Sequence, residues 1–298
     1  MNLYKSLIFI LYLGIFLGSG FRTPAQSRDS ITLYGTLDTV QVIRQRIQHA
    51  NEANAGARVT HISPAILQAN KTRSLAELLT DHTSIYIKSL GTGALSTASC
   101  RGTSASQTRV NWNGINITPP LSGTFDFSQI PVFFTDNINL YYGSSHVKNG
   151  TGVIGGSVNL FTDTDWNRGV NGRVLAEYGS YNTYTVGGQA NISGNKSASK
   201  TRLYYQHSDN DYTYLNKVLT NIPFREKRQD AAYSQFGIMQ EGYFRVSPYT
   251  RLTAVAWYQK NHRNLPQPLG VVNRSQEDQE ENNFRGYAGL DFSRGIHE

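Results

Sequence analysis

The chain has 298 residues, a formal net charge of +7, one cysteine, 18 tyrosines, 27 glycines and only 16% charged residues. A single thiol excludes an internal disulfide framework and a cysteine-rich metal centre, and the Lys and Arg residues are scattered rather than striped, so the basic balance reads as a solvated surface and not as a nucleic-acid footprint. So much tyrosine and glycine at so low a charge suits strands that alternate between an apolar and a wet face better than it suits a soluble enzyme.

Residues 1–25 read as a signal peptide: Lys5 gives the positive start, residues 7–18 a short apolar run, and Thr23, Pro24 and Ala25 a small-residue cleavage site before Gln26. That run is short for a bilayer span and no comparable one follows, so no transmembrane helix is expected. Residues 26–58 lack strong periodicity and read as an extension. Within it, Asp38, Thr39, Val40, Gln41, Val42 and Ile43 alternate like an extended peptide suited to adding a strand to a partner's sheet edge. With about a dozen residues between the cleavage site and Asp38, no further accessory domain is expected there.

Residues 59–165 alternate short helices and strands, an α+β globule with one modest core. Ser63 followed by Pro64 signals a helix start, and Ser74 with Glu77 is a capping box opening a helix that carries Leu75, Leu78 and Leu79. Strands are expected at 85–88, 138–142 and 157–161, and Asn113-Gly114 between two β-prone runs predicts a tight hairpin. Cys100, beside an apolar strand, reads as a small core hydrophobe.

Residues 166–298 hold strands only, expected near 172–178, 182–192, 200–208, 232–245, 251–260 and 283–292. Tyr184, Val186, Gly188, Ala190 and Ile192 share one face and Thr185, Gly187, Gln189 and Asn191 the other; Phe284, Gly286, Ala288, Leu290 and Phe292 repeat the pattern. Segments of about ten residues with this dyad alternation suit an antiparallel transmembrane barrel, with Tyr204, Tyr205, Tyr243, Trp257 and Tyr258 as interfacial aromatics. A soluble β-sandwich would alternate in the same way. The second-to-third and fourth-to-fifth links are short, while the next link after each is long. In an outer-membrane barrel this makes the first strand run outward from the periplasm.

Taken in order, residues 38–43, Arg101-Gly102, Asn113-Gly114, residues 126–131, Tyr142-Gly143 and residues 154–159 resemble the signature elements of the TonB-dependent outer-membrane receptors. The resemblance implies a TonB box at 38–43, pulled on by the TonB energy-coupling protein, a plug domain at 59–165, and the start of a lipid-embedded barrel. It implies structural roles for four plug residues: Arg101 as a buried ion-pair or carbonyl anchor, and Gly102, Gly155 and Gly156 where the plug turns tightly or nests against the wall. Tyr142-Gly143 stands where the family usually carries Arg-Gly, which removes one charge of the usual pairing between plug and wall. Six strands cannot close around such a globule, so an open, curved sheet with its last edge unpaired is expected.

Within the family, residues 91–96 and 113–126 are most similar to the vitamin B12 (cobalamin) receptors. In those, two apical plug loops touch the ligand from below; the matching positions are Thr92, Gly93, Ala94, Leu95 and Ser96, and Thr118, Pro119, Pro120, Leu121 and Ser122. The resemblance also allows a Ca²⁺ site at Asp209, Asp211 and Asp230, against the alternative of a solvated loop, and a surface lipoprotein as partner. The function it implies is active uptake of a corrinoid at the outer membrane of a Gram-negative cell. The alternatives are the same machine with a siderophore or glycan as cargo, and a soluble exported binding module. No catalytic constellation is found: Gly150 to Gly155 spells a dinucleotide fingerprint but precedes a strand rather than a helix.

Overall fold

The computed structural model describes residues 58–143, 154–218, 223–267 and 276–292. The expected signal peptide, residues 1–25, and residues 38–43 lie outside them. The globule begins with β1 (Arg58–His61), α1 (Pro64–Ala69) and α2 (Leu75–His82), followed by β2 (Tyr86–Ser89), β3 (Ser96–Ser99), β4 (Thr108–Trp112), β5 (Ile115–Asn116), β6 (Asn137–Tyr142) and β7 (Gly156–Phe161). Local chemistry sets the helix starts. Ser63 caps α1 with Pro64 in its first turn, and at α2 the Ser74 hydroxyl accepts from the Glu77 amide at 3.3 Å while the Glu77 carboxylate accepts from the Ser74 amide at 2.8 Å.

A five-stranded sheet in the order β1-β6-β7-β4-β5 forms the body of the globule, with β4 and β7 parallel and the other pairs antiparallel. Trp112 faces Ile115 across the expected hairpin, and Asn113 and Gly114 both take positive φ, 49° and 85°, as a type I′ turn requires. β2 and β3 form a separate two-stranded ribbon.

Six long strands follow as an antiparallel meander: β8 (Gly169–Gly179), β9 (Thr183–Ser193), β10 (Ser197–Ser208), then β13 (Tyr233–Ser247), β14 (Thr250–Asn264) and β15 (Asp278–Phe292). The sheet stays open, with β8 at one edge and β15 at the other. The long link after β10 is not plain loop: β11 (Thr213–Asn216) and β12 (Phe224–Lys227) pair there as a small hairpin.

The two faces of the meander differ as the alternation requires. Val174, Val186, Leu203, Ile238, Phe284 and Leu290 are exposed on the outer face, whereas Arg202, Tyr204, Met239, Glu241, Val255 and Trp257 are buried against the globule. This corrects part of the aromatic assignment. Tyr204, Tyr243 and Trp257 are not interfacial but point inward, at 1%, 4% and 1% exposure, and only Tyr205 and Tyr258 keep outward positions. One continuous core results, in which Trp112, Phe133 and Phe134 of the globule pack with Tyr204, Met239, Val255 and Trp257 of the wall.

Candidate functional site

The globule meets the wall along an aromatic seam flanked by charge. Phe133 and Phe134, in a short 3-10 turn (Val132–Phe134), lie with ring centroids 5.8 and 6.0 Å from Tyr204, and Trp257 stands 5.3 Å from Phe134 and 5.4 Å from Trp112. Gly237 and Gly187 clear the way for them. A side chain at Gly237 would come within 2.6 Å of the Phe134 ring, and one at Gly187 within 3.3 Å of Phe133.

Beside the rings, Asp136 of the globule accepts from Lys200 at 2.9 Å and from Arg202, whose guanidinium also donates to the Phe133 carbonyl and faces Glu241 at 2.9 Å. Tyr243 donates to the other Glu241 oxygen at 2.6 Å. Burial alone would raise the Asp136 carboxyl, but Arg202, Lys200 and Lys71 outweigh it and hold it well below the usual carboxylate range. Burial pushes the Lys71 ammonium, bonded to the Val132 and Thr135 carbonyls, down to about 8 against the attraction of Asp136. Across the seam the Asp136 carboxylate stands on the globule and its ion-pair partners, Lys200 and Arg202, stand on the wall.

The two expected ligand loops are both described. In the first, Leu95 is 38% exposed at the crest, while Ser96 is buried and its amide donates to Asp126 Oδ1 at 3.0 Å. In the second, Thr118 accepts from the Val110 amide at 3.3 Å, Pro119 is half-buried, Pro120 and Ser122 are exposed, and Leu121 is fully exposed. Asp126, at the end of the second loop, therefore ties it to the foot of the first. A cavity of about 170 Å³ lies between residues 91–93 of the first loop, one face of α2, and Gln206, Tyr233 and Gln235 of the wall.

Other assignments change. Arg101 is exposed and takes φ 52° in a turn, so it is not the buried anchor; its side chain lies beside Gly143. Gly102 does make the turn, at φ 74°. Gly155 and Gly156 are close-approach positions within the globule rather than against the wall, since added side chains would meet Thr103 at 2.3 Å and the Tyr141 carbonyl at 2.5 Å. Asp209 pairs with His207 and Asn182, Asp211 with Lys227 at 2.7 Å, and Asp230 sits at φ 55° before β13. Among the described residues no group of three or more His, Cys, Asp or Glu converges as a metal site.

Residues missed in the sequence are Asn210 and Tyr233, which touch the first loop at Thr92 and Gly93, and Arg263, which binds Asp126 at the end of the second. They lie more than a hundred residues beyond the groups they touch, and no local pattern marks them.

Residues 51–157 match the family model described as TonB-dependent Receptor Plug Domain. The chain is 31% identical over 135 residues to a vitamin B12 transporter BtuB of Photobacterium profundum, spanning 45% of this chain and 22% of that protein. A BtuB of Vibrio cholerae is 31% identical over 126 residues, 42% of this chain and 20% of its own length. The chain thus spans about a fifth of the length of these relatives. Among solved structures, the ferripyoverdine receptor of the outer membrane of Pseudomonas aeruginosa superimposes with TM-score 0.61 at 15% identity, over 80% of this chain and 32% of that one. The alcaligin outer-membrane receptor FauA of Bordetella pertussis gives 0.60 at 14%, over 80% and 36%.

Proposed function

We propose that this chain, which carries the plug and leading barrel strands of a TonB-dependent receptor, serves energy-driven uptake across an outer membrane and takes a corrinoid as its ligand. The observation that carries the ligand class is the surface of the two apical loops. Residues 92–96 and 118–122 contain no cation and raise Leu95 and Leu121 out of the plug, at 38% and 100% exposure. A multiply charged siderophore would require arginine at that floor. A broad, mostly neutral ligand is met by apolar and hydroxyl groups of the kind found there. The 31% identity to vitamin B12 transporters supports the same choice, whereas the siderophore receptors, at 14% and 15%, bear on the fold alone.

In this reading residues 38–43 are the TonB box. The coupling protein engages them by strand addition, and force applied there remodels the plug. The apolar outer face of the six strands lies in lipid. A calcium ion at the loop after β10 would have to displace Lys227 from Asp211, and no step of transport is assigned to it.

Equilibrium binding of cyanocobalamin to a full-length receptor carrying this plug, in detergent, tests the ligand. Saturable binding is expected, weakened about tenfold or more by Leu95→Arg, which places bulk and an unpaired charge at the contact. Binding of a ferric siderophore with no corrinoid binding would reject the cargo and leave the receptor. In the intact receptor, Val40→Pro removes a backbone donor, so uptake should fall while ligand binding persists.

A further inference from the structure

The first apical loop is held at its leading end by residues that follow β10, and at its trailing end by Asp126 of the globule, which is in turn bound by Arg263 of the wall. At its leading end the Asn210 amide nitrogen donates to the Thr92 carbonyl at 3.0 Å and to the Ala231 carbonyl at 3.2 Å, and Asn210 is itself 8% exposed. Next to it the Tyr233 ring lies on Gly93 so closely that a Cβ there would come within 2.2 Å of the ring. At the trailing end the Ser96 amide donates to Asp126 Oδ1, and Arg263 Nη1 donates to Asp126 Oδ2 at 2.7 Å, both of these side chains being 11% exposed. Between the two ends the loop has two backbone bonds of its own, Ala94 N–H to the Gly91 carbonyl and Leu90 N–H to the Leu95 carbonyl, each at 3.1 Å, and side-chain bonds at its base, where the Ser96 hydroxyl donates to Ser89 and to the Ala94 carbonyl and Ser89 bridges to Gly91. On the side facing α2 lies the cavity of about 170 Å³, so that side of the loop is not backed by packed core.

We propose that Asn210, Tyr233 and Arg263, acting through Thr92, Gly93 and Asp126, are positioning residues that fix the first apical loop, so that the barrel wall sets the affinity of a site whose contacts lie on the plug. A loop that is clamped before the ligand arrives loses less freedom on binding, and a loop released from its clamp must be ordered by the ligand. The consequence for ligand affinity rests on the reading of this loop as part of the ligand floor. The clamp itself does not depend on that reading.

Hydrogen exchange of the full chain in detergent, without ligand, tests the clamp. In Arg263→Gln and Asn210→Ala, combined, amide exchange at residues 92–96 is expected to speed up about tenfold, as local opening becomes easier, while the amides of β4, β6 and β7 keep their protection. Restoring a cation with Arg263→Lys should recover part of the slow exchange at Ser96. Unchanged exchange at 92–96 would overturn the proposal, because the loop would then hold itself. Equal acceleration in β4, β6 and β7 would also overturn it, by showing that these pairs support the whole plug. Cyanocobalamin titration of the same variants of a full-length receptor should show severalfold weaker binding. If a full-length receptor carrying the unsubstituted plug binds no cyanocobalamin while the loop still loosens selectively, the clamp stands and the corrinoid assignment falls.

Discussion

Phe134 enters the wall where Gly237 leaves room, and this single contact shows why the inner face of the sheet could not be named from the sequence. An added methyl at Gly237 would lie 2.6 Å from a ring that is 1% exposed and pinned between Tyr204 and Trp257, so the ring cannot swing aside. Gly237→Ala should cost about 1–3 kcal/mol as overpacking, and Phe134→Ala about 3–5 kcal/mol as a cavity. Both are read from urea midpoints followed by tryptophan fluorescence. The double variant should cost clearly less than the sum, because the alanine side chain partly fills the space the ring leaves; simple additivity would show that the two residues do not meet. Alternation along a strand tells which residues share a face. It does not tell which face looks inward, and when the lumen is filled by a packed plug both faces carry aromatics. For that reason the sequence alone points Tyr204, Tyr243 and Trp257 to a lipid interface, while the fold buries them.

At the scale of elements, what local chemistry specifies was legible and what distant partners specify was not. The capping box at Ser74 and the Asn113-Gly114 turn carry their whole rationale within four residues, and both form as expected. Ser74→Ala should therefore destabilise the chain by about 0.5–2 kcal/mol, with faster exchange of the Glu77 amide, whose acceptor it removes. The hairpin of β11 and β12 lay hidden in what read as a long loop. Its strands have four residues each, too few for alternation to stand out. Tyr214 and Asn216 both donate to the Glu226 carboxylate, at 2.9 and 2.8 Å, and Asn216 is fully buried. Glu226→Ala should cost about 1–3 kcal/mol locally, seen as protease nicking within 213–227 with the six-stranded sheet unchanged. Equal loss of protection in β10 and β13 would mean that the hairpin is part of the wall rather than an addition to it.

For the molecule as a whole, plug and wall share one core and one ionic cluster, so they should unfold together rather than as a globule beside a sheet. The open meander with two free edges follows from the strand count, but the cluster does not, since Asp136 and Arg202 lie 66 residues apart and only the docked structure joins them. The cluster gives stability a pH dependence with two parts of known sign. Asp136 has its carboxyl lowered in the folded state, chiefly by Arg202 and Lys200 against the opposing effect of burial. Its contribution is complete above the unfolded value of about 4 and is lost as pH falls below it toward the folded value. Lys71 titrates near 8 when folded, below its ordinary 10.5, so the unfolded chain binds the extra proton between those values and stability rises with pH across that window. Asp136→Asn should reduce the acid slope of the urea midpoint below pH 4 and, by leaving Arg202 and Lys200 to share Glu241 alone, cost about 3–5 kcal/mol at neutral pH. Lys71→Met should flatten the alkaline rise and leave the acid slope in place. If the globule's tryptophan signal and the wall's exchange protection are lost at separate denaturant midpoints in the unsubstituted chain, the seam does not join the two and the pH argument fails with it.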